Sequence, residues 1–178
     1  MVAESKMKQT EIGLIPEDWD VVKIDDLLKL LTDFEANGSF ESVAQNVRIY
    51  DSENFAWYVR ATDLEKNSSM NEVKFVDESS YKFLSKTKLY GNELLITKRG
   101  EIGKLYYFIL KYPLATLAPN LYLLQLNGKV NGKYLYYHFK SEIGNKKLTG
   151  INASSTLGAI YKDDVKKLQI PLPPLPEQ

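Results

Sequence analysis

Three cations stand around two glycines in Lys98-Arg99-Gly100-Glu101-Ile102-Gly103-Lys104. Glycines let a backbone approach a ligand closely, and ammonium and guanidinium groups meet phosphates. The chemistry open to this segment is anion recognition. It is not nucleotide hydrolysis, because a phosphate loop needs four residues between its glycines and a Ser or Thr after its lysine to reach magnesium. Here two residues intervene and Leu105 follows. No G-x-G-x-x-G opens a helix, so the dinucleotide fingerprint is missing as well. The plainer alternative is a tight hairpin connection whose charges are merely solvated.

Other polar side chains fall in turn-rich stretches: Asn37, Ser39, Asn152, Ser154 and Ser155. Their amides and hydroxyls have the donors and acceptors to read base edges. Taken singly, ordinary turn chemistry explains each of them better. Arg60, in Arg60-Ala61-Thr62-Asp63, either contacts DNA or pairs with Asp63 and holds the corner, and the pairing is favoured.

Catalytic sets do not assemble. With no cysteine there is no disulfide framework, no thiolate nucleophile and no cysteine-ligated zinc or iron–sulfur site. The single histidine, His138, lies in Tyr136-Tyr137-His138-Phe139 and reads as a packed or surface helix residue. Nothing around Ser154-Ser155 marks a nucleophile elbow. Asp18, Asp20, Asp25 and Asp26 have no tight ligand loop around them, so they cap and solvate. There is also no Asn/Asp-Pro-Pro-aromatic tetrapeptide of the kind amino-methyltransferases use to hold a flipped base.

The elements that must position these residues form a mixed series. The 178 residues, 44% hydrophobic and 26% charged, read as one globular domain, with a lead-in over 1–12 and a proline-rich exit over 169–178. Strands are expected at 21–24, 55–59, 94–97, 105–110 and 121–126. Helices are expected at 25–31, 61–66 (with Thr62 as cap), 77–84, 134–143 and 161–168. Residues 32–39 and 144–155 read as polar loops, Trp19 as a buried anchor, and four prolines within 171–176 as a stop to sheet and helix alike. Such an order predicts α+β or irregular mixed α/β architecture, a small mixed β-sheet with short helices, rather than a doubly wound sheet. The twelve tyrosines fall mostly in these elements and serve packing.

Lysine plus arginine and aspartate plus glutamate number 23 each, but residues 1–79 hold 17 acids and 8 bases, and residues 80–178 hold 6 acids and 15 bases. An anionic partner for the basic half, or pairing of the two halves on folding, accounts for this equally well. No apolar run is long enough to span a membrane, and the first 13 residues lack the apolar stretch of a secretion signal. A cytoplasmic protein is expected.

In their order and spacing, several segments resemble a target-recognition domain of the specificity subunits of type I restriction–modification systems. The entry is Gly13-Leu14-Ile15-Pro16-Glu17-Asp18-Trp19 with Val22-Lys23-Ile24, and a loop of one branch is matched by Asp33-Phe34-Glu35-Ala36-Asn37-Gly38-Ser39-Phe40. Tyr58-Val59-Arg60-Ala61-Thr62-Asp63-Leu64 is similar to a strand leading into Asp-Leu. Gly91-Asn92-Glu93-Leu94-Leu95-Ile96, then Arg99-Gly100-x-Ile102-Gly103-Lys104, matches the central strand and loop. The most specific match is the proline-rich exit Ile170-Pro171-Leu172-Pro173-Pro174-Leu175-Pro176-Glu177-Gln178.

The resemblance implies a non-catalytic module that reads one half of a split target in double-stranded DNA. It also implies partners: modification (methyltransferase) subunits that use S-adenosylmethionine, and through them restriction subunits driven by ATP and magnesium. No cofactor is expected in this chain. Family members carry two such domains joined by two antiparallel helices, and this sequence ends at Gln178, where the first such helix is expected. On this reading Lys98, Arg99 and Lys104 position the DNA backbone, with Lys146 and Lys147 as secondary phosphate contacts, and the loop amides and hydroxyls select bases. Zero net charge predicts weak binding in isolation. The alternatives are a protein-interaction module that docks modification subunits without reading bases, and the recognition domain of a fused restriction–modification enzyme.

Overall fold

The computed structural model describes residues 6–99, 101–151 and 158–178. In chain order its strands are β1 (Met7–Thr10), β2 (Gly13–Pro16), β3 (Asp20–Lys23), β4 (Leu28–Asp33), β5 (Ile49–Tyr50), β6 (Ala56–Val59), β7 (Lys74–Val76), β8 (Lys88–Leu89), β9 (Leu94–Thr97), β10 (Leu105–Tyr107), β11 (Ala115–Leu117), β12 (Leu121–Leu126) and β13 (Gln169–Leu172). The helices are α1 (Phe40–Asn46), α2 (Ala61–Lys66), α3 (Glu78–Phe83), α4 (Gly132–Lys140), α5 (Glu142–Gly150) and α6 (Lys162–Lys167). The expected mixed α/β architecture, with small sheets and short helices, is what forms.

Two sheets carry the fold, one in the order β10-β9-β12-β4 and the other β5-β7-β6-β11-β8. The runs of β6, β9, β11 and the start of β12 are continuously buried because these strands are covered on both faces. Side chains alternate along a strand, so one strand serves two cores. On β12, Tyr122 and Leu124 point into a cluster with Leu135, Phe139, Leu148 and Val165 of α4–α6. Leu121 and Leu123 point into a second cluster with Trp57, Phe75 and Phe108, shared with the five-stranded sheet. On β6, Ala56 and Tyr58 face a third cluster with Tyr81 and Leu84. The result is four layers: helices, sheet, sheet, and the short helices α1 and α3.

Several expectations change. Residues 25–31 do not form a helix: Ile24–Leu27 makes a single 3-10 turn, and Leu28–Asp33 then pairs with β12. The helical spacing of Leu27, Leu28 and Leu31 yields to sheet pairing, which buries the end of β4. The expected loop over 144–155 is helical to Gly150, and α4 and α5 break at Ser141. The Ser141 hydroxyl donates to the His138 carbonyl at 2.6 Å and accepts from the Gly144 N–H at 3.1 Å, ending one helix and capping the next. The strand expected over 105–110 stops at Tyr107.

The proline run does not stop the sheet either. Pro171 lies opposite Val21 in the two-stranded β13-β3 ribbon, where a missing N–H can face an open edge. The lead-in contains β1, which pairs with β2 beyond it in a hairpin. Trp19 is half-buried, and its Nε1 donates to Glu177 at 2.9 Å. At α2 the capping side chain is that of Asp63, which accepts the Arg60 N–H at 3.2 Å, rather than Thr62.

Gly144 is demanded by space. A methyl group there would overlap the His138 carbonyl oxygen, whereas one on Gly150 would meet nothing. Gly144→Ala is therefore expected to cost about 1–3 kcal/mol in urea unfolding, and Gly150→Ala to leave stability unchanged.

Candidate nucleic-acid interface

Strand direction gathers the polar loops. β4 and β9 each run antiparallel to β12, so both end at the same edge, where the register sets Asp33 beside Tyr122 and Thr97 beside Leu121. The 98–104 loop turns back from that edge into β10. β6 and β11 run parallel and end there too, with the Ala118 N–H donating to the Val59 carbonyl at 2.9 Å. The Arg99–Ala159 bridge brings 158–162 alongside. Segments 33–39, 60–65, 98–99 with 101–104, 118–120 and 158–162 thus meet at one end of the molecule.

At the centre is a carboxylate between two ammonium groups. Asp33 accepts from Lys98 Nζ at 3.1 Å and from Lys162 Nζ at 2.8 Å. Lys98 also pairs with Glu35, and its ammonium stands 5.5 Å from the Tyr122 ring centroid. The Tyr122 hydroxyl donates to the Ile160 carbonyl at 2.9 Å. Burial alone would raise the Asp33 carboxyl, but hydrogen bonds and charge from Lys162 and Lys98 outweigh it and hold the pKa below its ordinary value. Around this group lies a cleft of about 380 Å³ lined by Asp33, Glu35, Lys98, Arg99, Tyr161 and Lys162.

The sequence-predicted residues divide sharply. Lys98 is only 4% exposed, and its charge is committed to Asp33 and Glu35, so it does not project as a phosphate contact. Arg99 is exposed beside it. Lys104 pairs with Glu65 and Glu101. Arg60 holds Asp63 through Nε and Nη2, the favoured reading of that corner. The Asn37 amide donates to the Phe34 carbonyl at 3.0 Å and the Thr87 hydroxyl at 2.9 Å, and accepts from the Lys86 N–H at 3.1 Å. Ser39 caps α1 by accepting from the Ser42 N–H at 3.2 Å.

Lys146 pairs with Glu142 along α5, and Lys147 lines a separate groove with Asp164 and Lys167. Asn152, Ser154, Ser155 and Gly100 lie outside the described residues. His138 stacks on Tyr134, and burial followed by the Lys147 charge pushes its pKa below the ordinary value.

Gly103 is required by packing. Gly103 has φ +74°, and a methyl group there would stand 2.9 Å from Thr149 of α5. Thr97 braces the turn, its hydroxyl donating to the Glu101 carbonyl at 2.6 Å and accepting the Lys104 N–H at 3.0 Å. Among the described residues five cations of the basic half, Lys82, Lys98, Lys104, Lys162 and Lys166, pair with acids of the other half, namely Glu78, Asp33, Glu35, Glu65 and Asp25. The charge division is thus partly spent on folding the halves together.

Sequence reasoning missed Glu35, Tyr161 and Lys162 at this site. No local signal marks an ion pair between residues 65 or 129 positions apart. Among the described residues no group of three or more His, Cys, Asp or Glu could hold a metal ion, and no helix is long and apolar enough to cross a membrane.

Comparison with known proteins matches residues 16–178 to the family described as Type I restriction modification DNA specificity domain. Two specificity subunits of Methanocaldococcus jannaschii are similar to the chain. The type I restriction enzyme MjaIX specificity subunit is 31% identical over 98% of this chain and 39% of its own length. The putative type I restriction enzyme MjaX specificity subunit is 30% identical over 98% of this chain and 40% of its own. The chain therefore spans about two fifths of these relatives. Among solved structures, a chain of a type I R-M system studied for complex assembly and conformational transition superposes with a TM-score of 0.64. It is 16% identical, over 92% of this chain and 36% of that one. The HsdS subunit from Thermoanaerobacter tengcongensis gives 0.60 at 17% identity, over 92% of this chain and 35% of its own.

Asp33→Ala is expected to destabilise the fold by about 2 kcal/mol, because it leaves Lys162 without its carboxylate and the buried Lys98 ammonium with Glu35 alone. Asp33 has a depressed folded pKa, so its contribution is complete above the unfolded value near 4 and is lost as pH falls through the folded value. Thermal unfolding across pH 5 to 2 should show a steeper loss of stability for the wild type than for the variant.

Proposed function

We propose that this chain, which belongs to the type I restriction modification DNA specificity domain family, reads one half-site of a split target in double-stranded DNA. The observation that carries the reading is the meeting of five loop segments at one end of two packed sheets, with Arg99 exposed among them. A rigid scaffold that offers loops on one face suits major-groove readout, where each base pair shows a distinct pattern of donors and acceptors. Arg99 positions the phosphate backbone, and the surrounding side chains select bases. The choice is lent to modification subunits, which methylate with S-adenosylmethionine, and through them to restriction subunits that use ATP and magnesium. The chain itself performs no covalent step.

Acids and bases balance at 23 each, so the chain as a whole exerts little net attraction on phosphates. Affinity of the isolated chain is weak, and tight binding belongs to the assembled enzyme.

Two measurements on the assembled modification enzyme test this. Exchanging residues 16–178 of the complete specificity subunit for the matching segment of a divergent relative should change one half of the methylated genomic motif. An unchanged motif would favour a docking role instead. Arg99→Glu should weaken DNA binding at every sequence and lower the salt slope by about one phosphate's worth, ~0.9. An unchanged slope would remove Arg99 from the interface.

A further inference from the structure

Glu35 is out of place on a surface that meets phosphates. It lies at the mouth of the cleft with its side chain 54% exposed, beside Arg99 and Tyr161. A carboxylate there repels the DNA backbone unless it faces a hydrogen-bond donor. Its position is fixed from behind. Lys98, with a side chain only 5% exposed, spans from Asp33 to Glu35. Asp33 is held in turn by Lys162. The carboxylate therefore does not hang from a free stem: one side leans on a buried ammonium, and the remaining lone pairs face the cleft. The cleft is built by four separate stretches of chain, residues 33–36, 98–99, Tyr122 of β12 and 159–162, so its shape does not depend on one flexible loop.

Major-groove chemistry narrows the partner. Of the base edges displayed there, only cytosine N4 and adenine N6 are donors, and the others are acceptors or the thymine methyl. An acceptor-only side chain distinguishes those two amino groups from guanine and thymine.

We infer that Glu35 is a specificity-determining residue that accepts a hydrogen bond from the exocyclic amino group of one cytosine or adenine, with Lys98 as the positioning residue behind it. The inference rests on the DNA-reading function proposed above. It also gives Lys98 a task other than the phosphate contact its sequence context suggests.

The test uses the complete specificity subunit assembled with its modification subunits, and reads the methylated motif by sequencing genomic DNA. Three variants are compared with the wild type: Glu35→Ala, Glu35→Gln and the exchanged 16–178 segment. Glu35→Ala is expected to lose discrimination on the order of tenfold at one C or A position of one half-site, leaving the other positions intact. Glu35→Gln keeps the side-chain length and the acceptor facing Lys98. It should move the preference at a cytosine position toward adenine, which an amide reads through N6 and N7. If both point variants retain the wild-type motif while the exchanged segment alters it, the Glu35 assignment is overturned and the DNA-reading function stands. If the exchanged segment also leaves the motif unchanged, both fall together.

Discussion

Asp33 closes a strand and holds two lysines, and the arrangement of the loop end depends on that one carboxylate. Lys98 comes from the end of β9 and Lys162 from the start of α6, so a single acid ties β4, β9 and α6 at one point. A buried ion pair of this kind is a poor stability device, since apolar replacements of similar volume are often neutral or better. Its effect here is geometric. It fixes where the loop after β4 stands relative to the loop after β9, and it places a second carboxylate, Glu35, at the surface.

The packing beneath supplies the rigidity. β9 and β12 are buried on both faces, and their alternating side chains lock the sheet between α4–α6 on one side and the five-stranded sheet on the other. Loops leaving such strands have anchored ends. Gly103 is clamped against α5 and Thr97 braces the turn from within, so the 98–104 loop is held at several points. Segments that share no sequence proximity thereby present one surface, which is the physical requirement for reading several bases in a fixed register.

What the sequence reveals follows from how local each signal is. The apolar runs of β9 and β12 announce buried strands. The helix expected over 77–84 forms as α3, with Asp77 as its cap: the carboxylate is pulled down to about 2, first by the Ser80 hydroxyl and then by the Ser80 N–H. Asp163 and Asp164 early in α6, with Lys166 and Lys167 late, suit the helix dipole and mark that helix correctly. β4 is not legible, because Leu27, Leu28 and Leu31 have helical spacing and only pairing with β12 decides against it. α5 hides behind two glycines, one of which is required by contact with the preceding helix. Lys98 is the least legible. Between Thr97 and Arg99 at a strand end, it reads as a cation open to solvent or phosphate, and only the fold brings Asp33 and Glu35 to it. Asn37, Ser39 and Arg60 sit at the end where the loops gather, and each is occupied in holding the backbone there.

The central claim, that this end of the two sheets faces DNA, is tested most directly by crosslinking. A photoreactive amino acid would be placed at Ser39, exposed among the gathered loops, or at Lys129, exposed in the turn at the other end of β12. Each would be installed in the complete specificity subunit assembled with its modification subunits and irradiated with a duplex carrying the methylated motif. Crosslinks from position 39 to one half-site, with none from position 129, are the predicted result. Crosslinks from 129 alone would place the DNA at the opposite end and contradict the account.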